Sequence, residues 1–416
     1  MAIADDLKQL LTQPTRLEQL GIPASIITDL IYRLLFNEGE VNVGRFVEIL
    51  RVHPQIVDQV LSELSHEHLV EVVRAGALRF SYTYRLTDEG GRRARDSVDR
   101  TQYVGPAPVD AEAYKRSVLL QTTNKQRVNQ AQVKQALSHL ILPESFHRKI
   151  GPAINAGSSL FLYGPPGNGK TTVARSIGNM IQAQDLYIPC SLFVDGQVIK
   201  LYDSVNHQLA DEEDVTPLGT GSLRTSQRRD PRWVKIHRPF IVTGGELTMA
   251  GLDLVFDDTL KYYAAPFQVK ANGGILLIDD FGRQQVRPRD LLNRWIVPLD
   301  RRYDFLRLTG GKAIQVPFDQ LLICSTNLEP KDLVDEAFLR RIPYKIEVID
   351  PPESDFRRLF EMYGERIGVA HDAAAVDYLL DRHYKPIKRA YRRCQARDLL
   401  LQVRNFCQFN RRPVVM

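Results

Sequence analysis

Residues 164–171 read Gly-Pro-Pro-Gly-Asn-Gly-Lys-Thr, and no other stretch constrains this chain as tightly. The octapeptide follows the apolar run Leu160-Phe161-Leu162-Tyr163 and precedes Thr172-Val173-Ala174-Arg175-Ser176-Ile177, which reads as helix. A strand that feeds a helix through glycines is the setting in which the pattern G-x-x-x-x-G-K-[ST] cradles phosphates. Gly164, Gly167 and Gly169 let the backbone turn its N–H groups towards phosphate oxygens, where a Cβ would obstruct. The helix N-terminus adds unpaired donors and a positive dipole end. Lys170 has the reach for β- and γ-phosphates, and the Thr171 hydroxyl suits Mg²⁺. Pro165, Pro166, Asn168 and Thr172 complete the expected binding loop, whose ligand is a nucleoside triphosphate.

At 416 residues the chain is long for one domain, and two or three are expected. No apolar run approaches the length of a membrane span, and the N-terminus lacks a basic segment followed by an apolar core. No membrane insertion and a cytoplasmic location are therefore expected. Cys190, Cys324, Cys394 and Cys407 are far apart and form no C-x-x-C. That spacing fits reduced thiols and argues against a disulfide framework or a zinc site.

Residues 1–100 read as a separate domain. Ile26, Ile27, Leu30, Ile31, Leu34 and Leu35 recur at helical spacing. A short helix near Val43–Leu50 follows, and a third helix over about Pro54–Glu67 carries Ile56, Val57, Val60, Leu61 and Leu64 on one face. Val70–Val73 and Phe80–Leu86 then read as two strands across a turn at 76–77, and a last helix starts near Thr87. Three helices followed by a hairpin, with Tyr-Arg-Leu-Thr-Asp-Glu-Gly at 84–90, resemble the winged helix-turn-helix family. The third helix would be the DNA-reading one in that family, yet it carries Asp58, Glu63, His66 and Glu67 and no Lys or Arg. This charge favours a protein contact over DNA. Residues 101–140 form a linker: Gly105-Pro106-Ala107-Pro108 is a stiff non-helical joint, and a helix is expected over about 126–140.

Residues 141–350 are expected to form the nucleotide domain, with an inserted hairpin and loop over about 186–270. The secure strands are 160–163, Ile275–Ile278, Leu321–Ser325 and Tyr344–Val348. Strand-like runs also lie near Leu186–Ile188, Ser191–Val194, Val198–Leu201 and Pro239–Val242. Strands alternating with helices imply an α/β fold with a covered parallel sheet. Pro351-Pro352 breaks the chain, and residues 351–416 are helical in pattern. Ile275-Leu276-Leu277-Ile278-Asp279-Asp280 is an apolar strand ending in two acids, at the strand edge where ligands bind in such sheets. Asp279 is placed to hold Mg²⁺ and Asp280 to orient or deprotonate the attacking water.

Several stretches in one order now resemble the AAA+ ATPases: Gly164–Thr171, the acid-tipped strand 275–280, Cys324-Ser325-Thr326-Asn327, Asp335–Arg341, and Gln395-Ala396-Arg397-Asp398-Leu399-Leu400. The likeness covers about residues 141–416 and implies a P-loop core with a C-terminal helical lid. It implies ATP and Mg²⁺ as cofactors and self-association into a ring, a hexamer. Asn327 matches the family's first sensor, Arg340 and Arg341 its arginine-finger region, and Arg397 its second sensor. Which of the two arginines is the finger is open, with Arg294, Arg301 and Arg302 as reserves. The family's second acid is Glu, so Asp280 is a departure that bears on the turnover rate. Lys270-Ala271-Asn272-Gly273-Gly274 is similar to the subgroup with an insertion around the second helix, which includes chelatase-like and MoxR-like ATPases. Phe193-Val194-Asp195-Gly196 and Tyr262-Tyr263 are rival matches to the family's aromatic pore loop.

The net charge of +5 is modest, but Lys385, Lys388, Arg389, Arg392, Arg393, Arg397, Arg404 and Arg411 cluster between Arg382 and Arg412, and a second cluster is Arg224, Arg228, Arg229 and Arg232. Such clusters suit nucleic acid or form a solvated face. Three functions follow: a ring ATPase that remodels a protein client or is recruited by an adaptor, a DNA-associated loader or regulator, and a slow ATP-dependent assembly switch.

Overall fold

A computed structural model describes residues 2–76, 79–123, 127–182, 184–211, 228–334 and 336–416. Its centre is a five-stranded parallel sheet: β1 (Ser159–Tyr163), β2 (Phe240–Thr243), β3 (Ile275–Ile278), β4 (Leu321–Thr326) and β5 (Tyr344–Glu347), in the order β2-β3-β4-β1-β5. These segments read as unbroken apolar runs because both faces are covered. Leu160, Leu162, Ile275, Leu277 and Ile323 point to one core, which Val173, Ile177 and Ile150 complete. Phe161, Leu276, Ile278, Leu322 and Cys324 point to the other, with Trp295, Phe281 and Phe318. From β1 the chain crosses through α1 (Lys170–Gln182) to the far edge, then steps back through β3 and β4 to flank β1, and places β5 on its other side. The connections therefore diverge beside β1, where α/β sheets open a crevice at their strand ends.

The expected helices and hairpin of residues 1–100 are present as Ala24–Glu38, Val43–Leu50, Pro54–His66, Val70–Arg74, Thr83–Leu86 and Asp88–Arg100. Local signals set their starts. Asn42 Oδ1 accepts the Arg45 N–H at 2.8 Å, Pro54 occupies the first turn, and Thr87 Oγ1 accepts the Gly90 N–H at 3.1 Å. A third strand, Val41–Asn42, joins this antiparallel sheet through Thr83–Leu86. The turn expected at 76–77 lies partly outside the described residues.

The inserted region is larger than a hairpin. Ser191–Val194 and Gln197–Lys200 do pair across an Asp195-Gly196 turn, with φ of 49° and 81° as a type I′ turn requires. Their sheet also recruits Val255–Asp257, Tyr262–Ala264 and, from the linker, Val109–Asp110. Two more ribbons pair Asp185–Pro189 with Trp233–His237 and Tyr303–Arg307 with Ala313–Pro317, and of these four strands only the first matches an expected run, Leu186–Ile188. The linker carries the expected helix as Gln130–Ala136, and an unexpected one, Ala111–Thr123.

The N-terminal unit docks on this insert. Tyr103 Oη lies 2.9 Å from Ser191 Oγ, Arg51 donates to the Pro231 carbonyl at 3.3 Å, and Lys261 to that of Asp99 at 2.7 Å. Both pore-loop matches are consumed by packing. Phe193 and Tyr262 lie against the N-terminal core, Tyr262 edge-on to Tyr103 at 5.6 Å, and Tyr263 is buried. Beyond β5 the lid comprises α2 (Glu353–Ile367), Ala373–Leu379 and α3 (Arg393–Phe409) around Phe356, Phe360, Leu380 and Leu400.

Part of each basic cluster is paired or buried, while Arg382, Lys388, Arg411 and Arg412 are exposed. Arg232 is buried against Asp230 at 2.7 Å, and Arg229 lies over the Tyr187 ring at 5.0 Å. Arg224 lies outside the described residues. In the lid, Lys385 pairs with Asp381 at 2.7 Å, Arg392 with Asp350, and Arg397 with Asp398 at 2.8 Å, while Arg393 is buried. No helix of the described residues is long and apolar enough to cross a membrane.

Candidate functional site

The loop after β1 takes the conformation that its glycines permit. Gly164, Gly167 and Gly169 have φ of +126°, +80° and +87°. At Gly164 a Cβ would also meet the Val348 carbonyl oxygen at 2.8 Å. Pro166 to Thr172 line a cleft of about 450 Å³, within the range of small-ligand sites. Gly164 and Pro165 form the back of the loop, and their carbonyls accept Lys170 Nζ at 2.9 and 3.0 Å. Lys170 is only 6% exposed, and burial lowers its pKa, while the Asp280 and Asp279 carboxylates pull it back up.

Residues remote in sequence meet this lysine. Asn327 at the end of β4 accepts Lys170 Nζ through Oδ1 at 2.7 Å, and its Nδ2 faces Asp280 Oδ1 at 3.5 Å. Thr171 Oγ1 donates to Asp279 Oδ2 at 2.9 Å. A hydroxyl and a carboxylate so joined are hard oxygen donors that suit Mg²⁺. Among the described residues no group of three or more His, Cys, Asp or Glu could hold a metal ion by itself, so an ion bound at Thr171 and Asp279 would need its other ligands from phosphate and water.

The turn after β3 accounts for the short second acid. Asp280 has φ of +50°, in the left-handed region, which Asp tolerates because its short polar side chain bonds locally. Gln284 braces the turn, with Nε2 donating to the Asp279 carbonyl at 2.8 Å and Oε1 accepting the Gly282 N–H at 2.8 Å. The Phe281 N–H donates to Ser325 O at 2.6 Å, which ties the acid turn to β4.

Arg397 lines the cleft from the lid. Arg340 and Arg341 do not line it. Arg341 is 14% exposed and donates to Asp300 at 2.8 Å, whereas Arg340 is exposed and makes no ion pair among the described residues. Of the reserves, Arg294 binds the buried Asp304 and Arg302 donates to the Gly157 carbonyl at 2.5 Å, so both are structural. Sequence reasoning missed the apolar end of the cleft, formed by Leu140 and Ile141 before the core and Leu359, Met362 and Tyr363 on α2. No motif marks these residues. Leu359, Met362 and Tyr363 fall in the stretch after Pro352 that reads only as helical in pattern.

Residues 160–217 match the family model described as "ATPase family associated with various cellular activities (AAA)". Residues 352–416 match a domain of unknown function (DUF8689). A stretch of 52 residues is 40% identical to the vesicle-fusing ATPase of Dictyostelium discoideum, which is 12% of this chain and 7% of that relative's length. Among solved structures, a RuvB mutant of Thermotoga maritima aligns with a TM-score of 0.38 at 15% identity, over 67% of this chain and 68% of that one. NtrX from Brucella abortus aligns with a TM-score of 0.38 at 15% identity, over 76% and 63%. Likenesses this loose add nothing to the site geometry. The chain carries an AAA ATPase domain, and ATP hydrolysis is the activity that such a domain implies.

Proposed function

We propose that this chain, with its AAA ATPase domain, is an ATP- and Mg²⁺-dependent ring ATPase that remodels a protein partner. One observation carries the reading: Lys170, Thr171, Asp279, Asp280 and Asn327 converge from three strand ends on one cleft roofed by the lid. Lys170 binds the β- and γ-phosphates, the loop N–H groups cradle them, and Thr171 with Asp279 holds the metal ion. Mg²⁺ held there offsets the charge of the phosphoryl oxygens. Asp280 takes a proton from the attacking water, and Asn327 holds that water in line. Arg397 touches the nucleotide from the lid, and the apolar residues at the cleft's other end take the base. Arg340 completes a neighbour's site in a ring of six, and Arg341 is structural. The strands Val255–Asp257 and Tyr262–Ala264 after β2 support the helix-2-insert subgroup.

The N-terminal unit, read as a winged helix, recruits the client or an adaptor. Its third helix exposes Glu63, His66 and Glu67, a face unsuited to DNA phosphates. Arg232, Lys385, Arg392 and Arg397 each pair with an acid, which offsets part of the charge that favoured nucleic acid. Random duplex DNA titrated between about 50 and 200 mM salt should therefore show weak binding with a shallow salt slope. Tight, steeply salt-dependent binding would make the DNA-associated reading the better one.

The trapping experiment is Asp280→Asn. Loss of the base should cut turnover by about 10²–10⁴-fold while ATP stays bound, so that a client is retained from cell extract in ATP and released in ADP. Turnover that is slow in the wild type and unchanged by Asp280→Asn would favour the slow-switch reading, for which the short acid on left-handed backbone is the specific observation.

A further inference from the structure

One of the contacts between the lid and the phosphate loop is a buried amide. Asn168 is 1% exposed. Its Nδ2 donates to Asp350 Oδ1 at 2.6 Å, and its Oδ1 accepts the Arg393 backbone N–H at 3.3 Å. These partners sit where the chain enters the lid and at the start of α3. Asp350 stands before Pro351-Pro352, where the chain leaves β5 for α2, and Arg393 is the first residue of α3. The two places are also tied to each other. Asp350 binds the Arg392 guanidinium, and buried Arg393 donates to the Ile349 carbonyl at 2.6 Å and the Ile141 carbonyl at 3.1 Å. Beside them the Cys394 N–H donates to the Gly167 carbonyl at 2.9 Å. A Cβ on Gly167 would stand 2.5 Å from Cys394 Sγ, so loop and lid are closely packed.

We propose that Asn168 is a positioning residue that transmits the state of the phosphate loop to the lid. A side-chain amide is both donor and acceptor, so one planar group fixes the hinge and α3 at a set separation from the loop. Parting from either partner would leave a buried polar group unpaired, which costs about 1–3 kcal/mol. That cost exceeds thermal energy, so loop, hinge and α3 shift together. A displacement of the loop on phosphate capture thus carries both lid anchors, and with them Arg397 on α3. An aspartate at 168 would set like charges against Asp350, and an alanine would remove the side-chain link from the loop to both anchors. The proposal rests on the nucleotide reading, because phosphate in the loop is the signal that the amide relays.

The test uses the full chain with Asn168→Ala, Asp350→Ala and the double variant. Affinity is read with a fluorescent ATP analogue, and lid state by hydrogen exchange over residues 353–409, with and without ADP or a non-hydrolysable ATP analogue. The expected result is affinity within about threefold of wild type, kcat down by about tenfold at unchanged KM, and loss of the nucleotide-dependent change in lid protection. The double variant should be no worse than either single one, because all three break the same link. Wild-type lid protection changes in Asn168→Ala would overturn the proposal. Loss of analogue binding in both single variants would also overturn it, since the pair would then build the site rather than link it to the lid. Failure of the wild type to bind the analogue would strike the nucleotide reading instead.

Discussion

Lys170→Ala is expected to abolish ATP binding and, with it, turnover. The ammonium reaches the Gly164 and Pro165 carbonyls and Asn327, and the field of the two acids at the end of β3 acts on it. Its removal strips the cleft of a charged donor just where a polyanion must lie. Asp279 and Asp280 then face the phosphates without that compensation, so repulsion adds to the lost attraction. A charge-assisted hydrogen bond contributes about 1.5–3 kcal/mol, and the added repulsion carries the loss beyond about a hundredfold in Kd. Equilibrium titration with a fluorescent ATP analogue checks this, alongside circular dichroism to show that the sheet still forms. Retained affinity in a folded variant would remove Lys170 from the binding role and reopen the assignment of the whole loop.

The second large effect is expected at Arg340. Arg340→Ala should lower turnover by about 10³-fold while leaving nucleotide affinity within about threefold, because a finger acts on a neighbour's transition state and not on ground-state binding. Arg341→Ala should instead cost about 1 kcal/mol of stability through its ion pair with Asp300 and leave turnover nearly unchanged. The contrast between adjacent arginines is the informative part. Mixed assemblies sharpen it: Arg340→Ala subunits should lower turnover in proportion to the neighbours that they fail to complete, whereas Arg341→Ala subunits should not. Wild-type turnover in Arg340→Ala assemblies would place the finger elsewhere, with Arg301 as the next candidate, since Arg294 and Arg302 are held by Asp304 and Gly157.

The two arginines also mark how far sequence can be read. Both fall in one motif at adjacent positions, and nothing in their order separates them. Only the approach of Asp300 distinguishes a braced side chain from an exposed one. The basic clusters behave likewise. Counted along the chain, Arg229 and Arg232 suggest a cationic surface, yet folding places one over Tyr187 and buries the other against Asp230. Charge in a sequence is a sum over residues, whereas charge at a surface depends on what each one pairs with. The departure at Asp280 reads as a defect in a motif until its backbone is seen in the left-handed region, where a short acid is well suited.

The local apolar patterning and turn chemistry of this chain were enough to mark the strands of the parallel sheet, the phosphate loop, the acids after β3, the helices of residues 24–100 and the helical pattern after Pro352, but not the helix Ala2–Leu10. Each rests on interactions within a few residues: apolar runs covered on both faces, glycines at positive φ, and caps such as Asn42 and Thr87. The tertiary structure alone decided the docking of the N-terminal unit over Phe193 and Tyr262, the apolar end of the cleft, and the amide of Asn168 between loop and lid. Those features depend on residues tens to hundreds of positions apart, and their partners carry no periodicity or motif. A hydrogen bond between residues 168 and 350 leaves no trace in the order of either segment.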